Sequence, residues 1–314
     1  MALTVTFGNG GAATVFDLQS VEAQNANALD DSTQKHETTD QSGSAIESGP
    51  VAVNGGVVDI SFNQDTNAFN FDVVGKWNSV KNVLAESDSA ENVYFKDFVQ
   101  ADVHLQGNGA STVEILNVKR ANVSTGAGND TVTISLLSND NTWVNAVKID
   151  TGAGNDTITV KSGVGLNAPG SQGITGATAF NGGNGFTDGR STAVDIKAGA
   201  GDDKIDLSNT NLKSSTVEGG TGVDHIIASG GADNFVFHLG DMAKTLATDV
   251  IEGFDVAKDK LSLLGTSEGN WTVKFLEDTG DTIVKYIGND SHKGEMIVLS
   301  GVDASAHLHD WFTV

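Results

Sequence analysis

The chain has no cysteine among its 314 residues. No disulfide can staple it, and it offers no thiolate for catalysis or metal binding. Basic residues are scarce. Eighteen Lys and Arg stand against 41 Asp and Glu, a formal charge of −23. That balance argues against a nucleic-acid partner, because phosphate contacts need basic patches. No run approaches the 18 or so apolar residues of a membrane-spanning helix. The start, Met1-Ala2-Leu3-Thr4-Val5-Thr6, has neither a basic region nor an apolar h-region, so no Sec signal peptide is expected. Aromatic side chains are few. Trp77, Trp143, Trp271 and Trp311 are scattered and form no repeating stripe for stacking on sugars. H-E-x-x-H is absent, which excludes the usual zinc-protease helix.

Glycine, by contrast, is abundant, with 38 residues, and much of it falls in one recurring turn. The turn reads Thr125-Gly126-Ala127-Gly128-Asn129-Asp130, then Thr151-Gly152-Ala153-Gly154-Asn155-Asp156. It returns as Ala198-Gly199-Ala200-Gly201-Asp202-Asp203 and as Gly219-Gly220-Thr221-Gly222-Val223-Asp224. A weaker fifth copy runs from Ala228 to Val236 around Asp233. A degenerate copy, Gln106 to Glu114, carries Ser111 in place of the aspartate, so its turn is read as uncharged. Two weaker matches lie at Asn181–Gly185 with Asp188 and at Gly55–Asp59. Apolar and polar residues alternate on both sides of the main copies, as in Ala146-Val147-Lys148-Ile149 and Ile158-Thr159-Val160. That is the period-2 signal of half-buried strands. The repeating unit is strand, turn, strand. Steps between turn starts are 26 (125 to 151), 47 (151 to 198), 21 (198 to 219) and 9 (219 to 228). Such uneven steps imply rungs with one regular turn edge and variable loops elsewhere.

The chemistry of the turn suits a hard cation. Glycine permits positive φ and lets carbonyls converge. Aspartate adds a charged oxygen. Calcium takes six to eight oxygens and accepts carbonyls beside carboxylates, so a site needs two stacked turns. These copies resemble the G-G-x-G-x-D-x-U-x nonapeptide of RTX (hemolysin-type) proteins. The resemblance implies an all-β fold, a parallel β-solenoid or β-roll holding several Ca2+ ions. It also implies bacterial type I secretion, with the type I machinery as partner, and an extracellular or cell-surface location. The ligand positions it implies are Thr125, Ala127, Asn129 and Asp130; Thr151, Ala153, Asn155 and Asp156; Ala198, Ala200, Asp202 and Asp203; Gly219, Thr221, Val223 and Asp224; and Asp233. Thr125, Thr151 and Ala198 replace the first glycine, which points to distorted turns or shifted ligands.

Three segments are expected. Residues 1–98 form a β-rich cap and irregular leading rungs, with 25–49 as a loop or disordered stretch. Residues 99–237 form the calcium-binding roll. Residues 238–314 form a β-rich C-terminal cap. There, Asp249-Val250-Ile251-Glu252-Gly253-Phe254-Asp255 resembles the closing segment of an RTX roll. The final His309-Asp310-Trp311-Phe312-Thr313-Val314 resembles a type I secretion signal. His307 and His309, two apart, read as surface residues, and His225 as solvent-facing. No catalytic or organic-cofactor residues are assigned. The expected role is a non-enzymatic structural protein that self-associates on calcium as a surface-layer or matrix component. One alternative is an adhesin or lectin for polysaccharide or a host surface. A second is a calcium-dependent polysaccharide lyase or glycosidase. The loops between Leu136 and Val144 and between Lys161 and Thr192 are candidate contact surfaces.

Overall fold

The computed structural model describes residues 2–8, 14–19, 38–40, 45–46, 49–53, 56–63, 66–75, 80–136, 146–162, 193–210, 212–245, 247–306 and 308–314. Most of both candidate contact loops, the weak match at 181–188, Trp77, Trp143 and His307 lie outside these residues.

Alternation builds the fold. In the strand Ala146–Asp150, Val147 and Ile149 are buried while Ala146, Lys148 and Asp150 face solvent. The same pattern holds in Gln100–Leu105 and Ala193–Ala200. Successive strands pass to opposite sheets, so the chain winds between two 13-stranded sheets whose apolar faces meet. One sheet stacks Ala85, Val103, Val123, Ile149, Ile196, Val217, Phe235, Leu261 and Phe312 in register along its inner face. The other stacks Phe69, Val93, Val113, Val132, Ile158, Ile205, Ile226, Ile251 and Leu299. Each fully buried aliphatic side chain stabilises by roughly 1.5–3 kcal/mol. No rung could bury its face alone, so stability comes from stacking. The fold is an all-β parallel solenoid, a β-roll.

The ends depart from the parallel rule. Ala2–Gly8 pairs antiparallel with both Thr14–Gln19 and Asn82–Ser87. Gly49–Val53, Gly56–Asn63 and Ala68–Val74 form an antiparallel meander before parallel stacking begins at Asn92–Lys96. The weak match at Gly55–Asp59 is therefore corrected: Gly56 to Asp59 belong to a hairpin strand. Within 25–49, expected as a loop or disordered stretch, Thr38–Asp40 and Ala45–Ile46 pair as short antiparallel strands. At the other end, Trp271–Leu276, Asp281–Tyr286 and Met296–Ser300 run antiparallel as the C-terminal cap. A single helical turn, Leu308–Trp311, leads into Phe312–Thr313, which pairs parallel with Lys260–Leu264.

Aromatic side chains gather at the two ends of the stack. Phe7, Phe16, Phe71, Phe95 and Phe98 form one cluster, with Phe71 and Phe95 stacked at 5.0 Å. Phe235, Phe254, Trp271, Tyr286, Trp311 and Phe312 pack at the other end. The rungs between them are filled by Val, Ile and Leu.

Candidate metal centre

The glycine–aspartate turns line one edge of the roll, where the chain passes from the first sheet to the second. Parallel pairing stacks them directly. Ala127, Ala153 and Ala200 are bridged in register between turns. The stack demands glycine where backbones touch. Gly154 has φ +130°, and a Cβ there would overlap the Gly128 carbonyl of the preceding turn. Gly219 is constrained by its own aspartate, because a Cβ would occupy the place of the Asp224 carboxylate.

Between the turns runs a ladder of carboxylates. Ser111 N–H donates to Asp130 Oδ1 at 2.6 Å, and Asp130 N–H donates to Asp156 Oδ1 at 2.8 Å. Asp156 N–H donates to Asp203 Oδ1 at 2.7 Å, and Asp203 N–H to Asp224 Oδ1 at 3.0 Å. Asp224 N–H then donates to Asp249 Oδ1 at 2.9 Å. Each aspartate thus reaches back one rung and fixes the turn before it. These five aspartates are at most 2% exposed, and the second oxygen of each, Oδ2, is buried without a hydrogen-bond partner. A lone buried carboxylate oxygen is costly, and here the defect repeats at every rung.

The electrostatics follow from that burial. Desolvation pushes the Asp156 and Asp224 carboxyls up to about 6 and those of Asp203 and Asp249 up to about 7. Neighbouring aspartates on the ladder add to the rise. Five acids in file with five unsatisfied oxygens fit a hard, oxygen-seeking cation. Among the described residues no three His, Asp or Glu side chains gather at one point. One aspartate per rung leaves most of any coordination shell to backbone oxygens, as calcium permits.

The remaining implied ligand positions occupy distinct places. Asn129, Asn155 and Asp202 form a second, solvent-facing ladder. Asn129 Oδ1 accepts from Asn155 N–H, Asn155 Oδ1 from Asp202 N–H and Asp202 Oδ1 from Val223 N–H, at 2.8, 3.0 and 2.9 Å. Their side chains therefore tie turn to turn rather than facing the orphaned oxygens. Thr125 and Thr151, at the position of the first glycine, are buried. Their hydroxyls donate to the carbonyls of Thr151 and Ala198 in the next rung. The Ala153 and Ala200 carbonyls accept from Gly128 and Gly154 N–H, and the Thr221 carbonyl from Gly201 N–H. Ala127, Ala198, Gly219 and Val223 belong to the same turns. Asp233 is separated from the other four aspartates: it sits on the opposite edge, at the start of the strand Ala232–His238. Asp249, conversely, completes the ladder without a glycine–aspartate frame before it. Its sequence signals are the resemblance of Asp249–Asp255 to a closing segment and the aspartate two residues before an inward apolar residue, Ile251, as in Asp156-Thr157-Ile158. His225 is half-buried, and its Nε2 lies 2.8 Å from Glu252 Oε1 one rung on.

Residues 215–308 match the family model described as Peptidase M10 serralysin C terminal. The match covers less than half of the chain. It takes in Asp224, Asp233 and Asp249 but not Asp130, Asp156 or Asp203. It supports the RTX resemblance at the level of the β-roll, without indicating a kind within it. No curated protein matches the chain.

Proposed function

We propose that this chain is a secreted, calcium-binding RTX protein that folds outside the cell and serves a structural, non-enzymatic role. In this reading it self-associates as a surface-layer or matrix component. The carrying observation is the ladder Asp130–Asp156–Asp203–Asp224–Asp249, with one oxygen of each carboxylate holding the preceding rung and the other left unpartnered in the interior. Calcium, when bound, supplies the positive charge and the oxygen-rich coordination that such a row lacks. The ladder couples ionisation to stacking, because the carboxylate that needs a cation is also the acceptor that fixes the next turn. Buried, mutually repelling acids and a formal charge of −23 oppose compaction where calcium is scarce. Outside the cell the same acids favour the stacked state. The serralysin C-terminal match supports export by a type I route.

Self-association is supported by the polar, regularly spaced outer faces of the two sheets and by the charge that keeps copies apart until cations screen it. Its test is light scattering during a calcium titration. Growth into large ordered particles after the fold forms supports assembly. A transition that stops at a stable monomer overturns it.

A second reading, a polysaccharide adhesin, is favoured by a groove of about 660 Å³ on the outer face of the first sheet. Gln100, Asp102, Arg120, Asn122, Lys148 and Asp195 line it. Small side chains at Ala146, Ala193 and Ser214 leave room for a chain lying across the strands, and the charged groups offer hydrogen bonds to hydroxyls or carboxylates. Chelator-reversible retention on an exopolysaccharide column, lost in Arg120→Ala, would favour it. Release of unsaturated or reducing ends from an acidic polysaccharide would overturn the non-enzymatic reading.

A further inference from the structure

The two edges of the roll carry equivalent rows of inward-facing positions, and their chemistry differs. The first edge reads Ser111, Asp130, Asp156, Asp203, Asp224, Asp249. The second edge, in register, reads Val83, Ala101, Ala121, Val147, Val194, Ser215, Asp233. Asp259 follows, accepting from Asp233 N–H at 2.9 Å. Three consecutive rungs of aspartate, Asp130, Asp156 and Asp203, thus face Ala121, Val147 and Val194 on the other side.

The acids at the end of the second edge are satisfied internally. Asp233 Oδ1 accepts from the Ser215 hydroxyl at 2.7 Å and the Ser229 hydroxyl at 2.9 Å, and its Oδ2 accepts from Ser229 N–H at 2.7 Å. Asp259 Oδ2 accepts from Asp255 N–H at 2.8 Å. Lys258 brings its own cation to this edge, 2.8 Å from Asp255 and 3.5 Å from the Gly230 carbonyl. Gly230 and Gly231 are not among the glycines of positive φ, whereas Gly152 and Gly154, Gly199 and Gly201, and Gly220 and Gly222 all are. The copy at 228–236 therefore shares letters with the calcium turn but not its conformation or its unmet oxygen. Asp249 is the reverse case. It is fully buried, accepts from Asp224 N–H through Oδ1, and leaves Oδ2 without a partner. That is the setting of Asp224 one rung earlier.

We infer that the row of calcium sites runs along one edge only and ends on Asp249, outside every glycine–aspartate motif, while the motif copy around Asp233 holds no ion. This rests on the calcium reading of the ladder. The test is a count of bound calcium by native mass spectrometry on the full chain, wild type against Asp249→Asn and Asp233→Asn. Asp249→Asn is expected to bind one ion fewer. Asp233→Asn is expected to keep the wild-type count and only to melt at a lower temperature. An unchanged count in Asp249→Asn, or a lost ion in Asp233→Asn, overturns the inference while leaving the calcium reading intact. A wild-type chain that binds no calcium overturns the calcium reading, and this inference with it. If either asparagine variant fails to fold, Asp249→Ser, which copies the hydroxyl of Ser111, and Ser229→Ala take their places with the same expected counts.

Discussion

Asp156→Asn should change sign with calcium. Asparagine keeps an oxygen for the Asp130 N–H, now 2.8 Å from Asp156 Oδ1, and replaces the orphaned Oδ2 with an uncharged amide. Without metal, the wild-type carboxylate is a burden, its pKa pushed from 3.8 to about 6 chiefly by burial. At roughly 1.4 kcal/mol per pH unit, that gap corresponds to about 3 kcal/mol of destabilisation at pH 8, where the group is ionised both folded and unfolded. The amide escapes it, so in chelator the variant should be the more stable protein by up to about 3 kcal/mol. In millimolar calcium the order should reverse, because one charged ligand has been lost from a central rung. The assay is urea denaturation at pH 8, in chelator and in ~10 mM calcium, the upper side of the range for extracellular sites. If the chelated protein is too unstable to melt, trimethylamine oxide restores a measurable baseline for both chains. Equal destabilisation of the variant in both conditions would refute the reasoning, because Asp156 would then be a plain hydrogen-bond acceptor.

Acidity should act in the same sense. The folded-state pKa values of Asp156, Asp203, Asp224 and Asp249 are raised, so their protonated forms favour the metal-free fold. That contribution is complete below about pH 4 and is lost as pH rises through 6 to 7. Circular dichroism in chelator should therefore show more β structure at pH 5 than at pH 8, and the calcium midpoint should rise as pH falls from 8 to 6. Gly154→Ala forces a side chain into positive φ and into the Gly128 carbonyl. A loss of about 3 kcal/mol or more is expected, read as a lower melting temperature in calcium. Phe95→Ala empties a fully buried site in the N-terminal aromatic cluster. It should cost roughly 3–5 kcal/mol, and its effect should add to that of Asp156→Asn in a double mutant, because the two sites share no partner.

The roll was legible because its signal is local and repeated. Val147 and Ile149, or Val194 and Ile196, alternate with polar neighbours, and each set adjoins a glycine turn. Once the strands stack in parallel, Asp130, Asp156, Asp203 and Asp224 must fall in line whatever the loop lengths between them. What stayed hidden depends on which edge a turn occupies. The turns of Asp224 and Asp233 are nine residues apart with nearly the same letters, yet a single three-residue strand, His225–Ile227, separates them and sends them to opposite edges. Asp249 lacks a glycine frame, and although its segment resembles a closing segment, its place on the ladder comes from register. The antiparallel ends were invisible for a similar reason: Val57 to Phe62 show the same period-2 alternation whether the next strand returns beside them or winds on to the other sheet. The second ladder of Asn129, Asn155 and Asp202 had no signature beyond polar letters in a turn.

Far-UV circular dichroism of the full chain at pH 8, taken from chelator through a calcium titration with magnesium as the control, most directly tests the claim that this ladder ties folding to calcium. β structure should rise cooperatively with calcium and not with magnesium, because a row of carboxylates and carbonyls gives little of the rigid octahedral geometry magnesium requires. A spectrum that is already fully β in chelator at pH 8 and indifferent to calcium would contradict it.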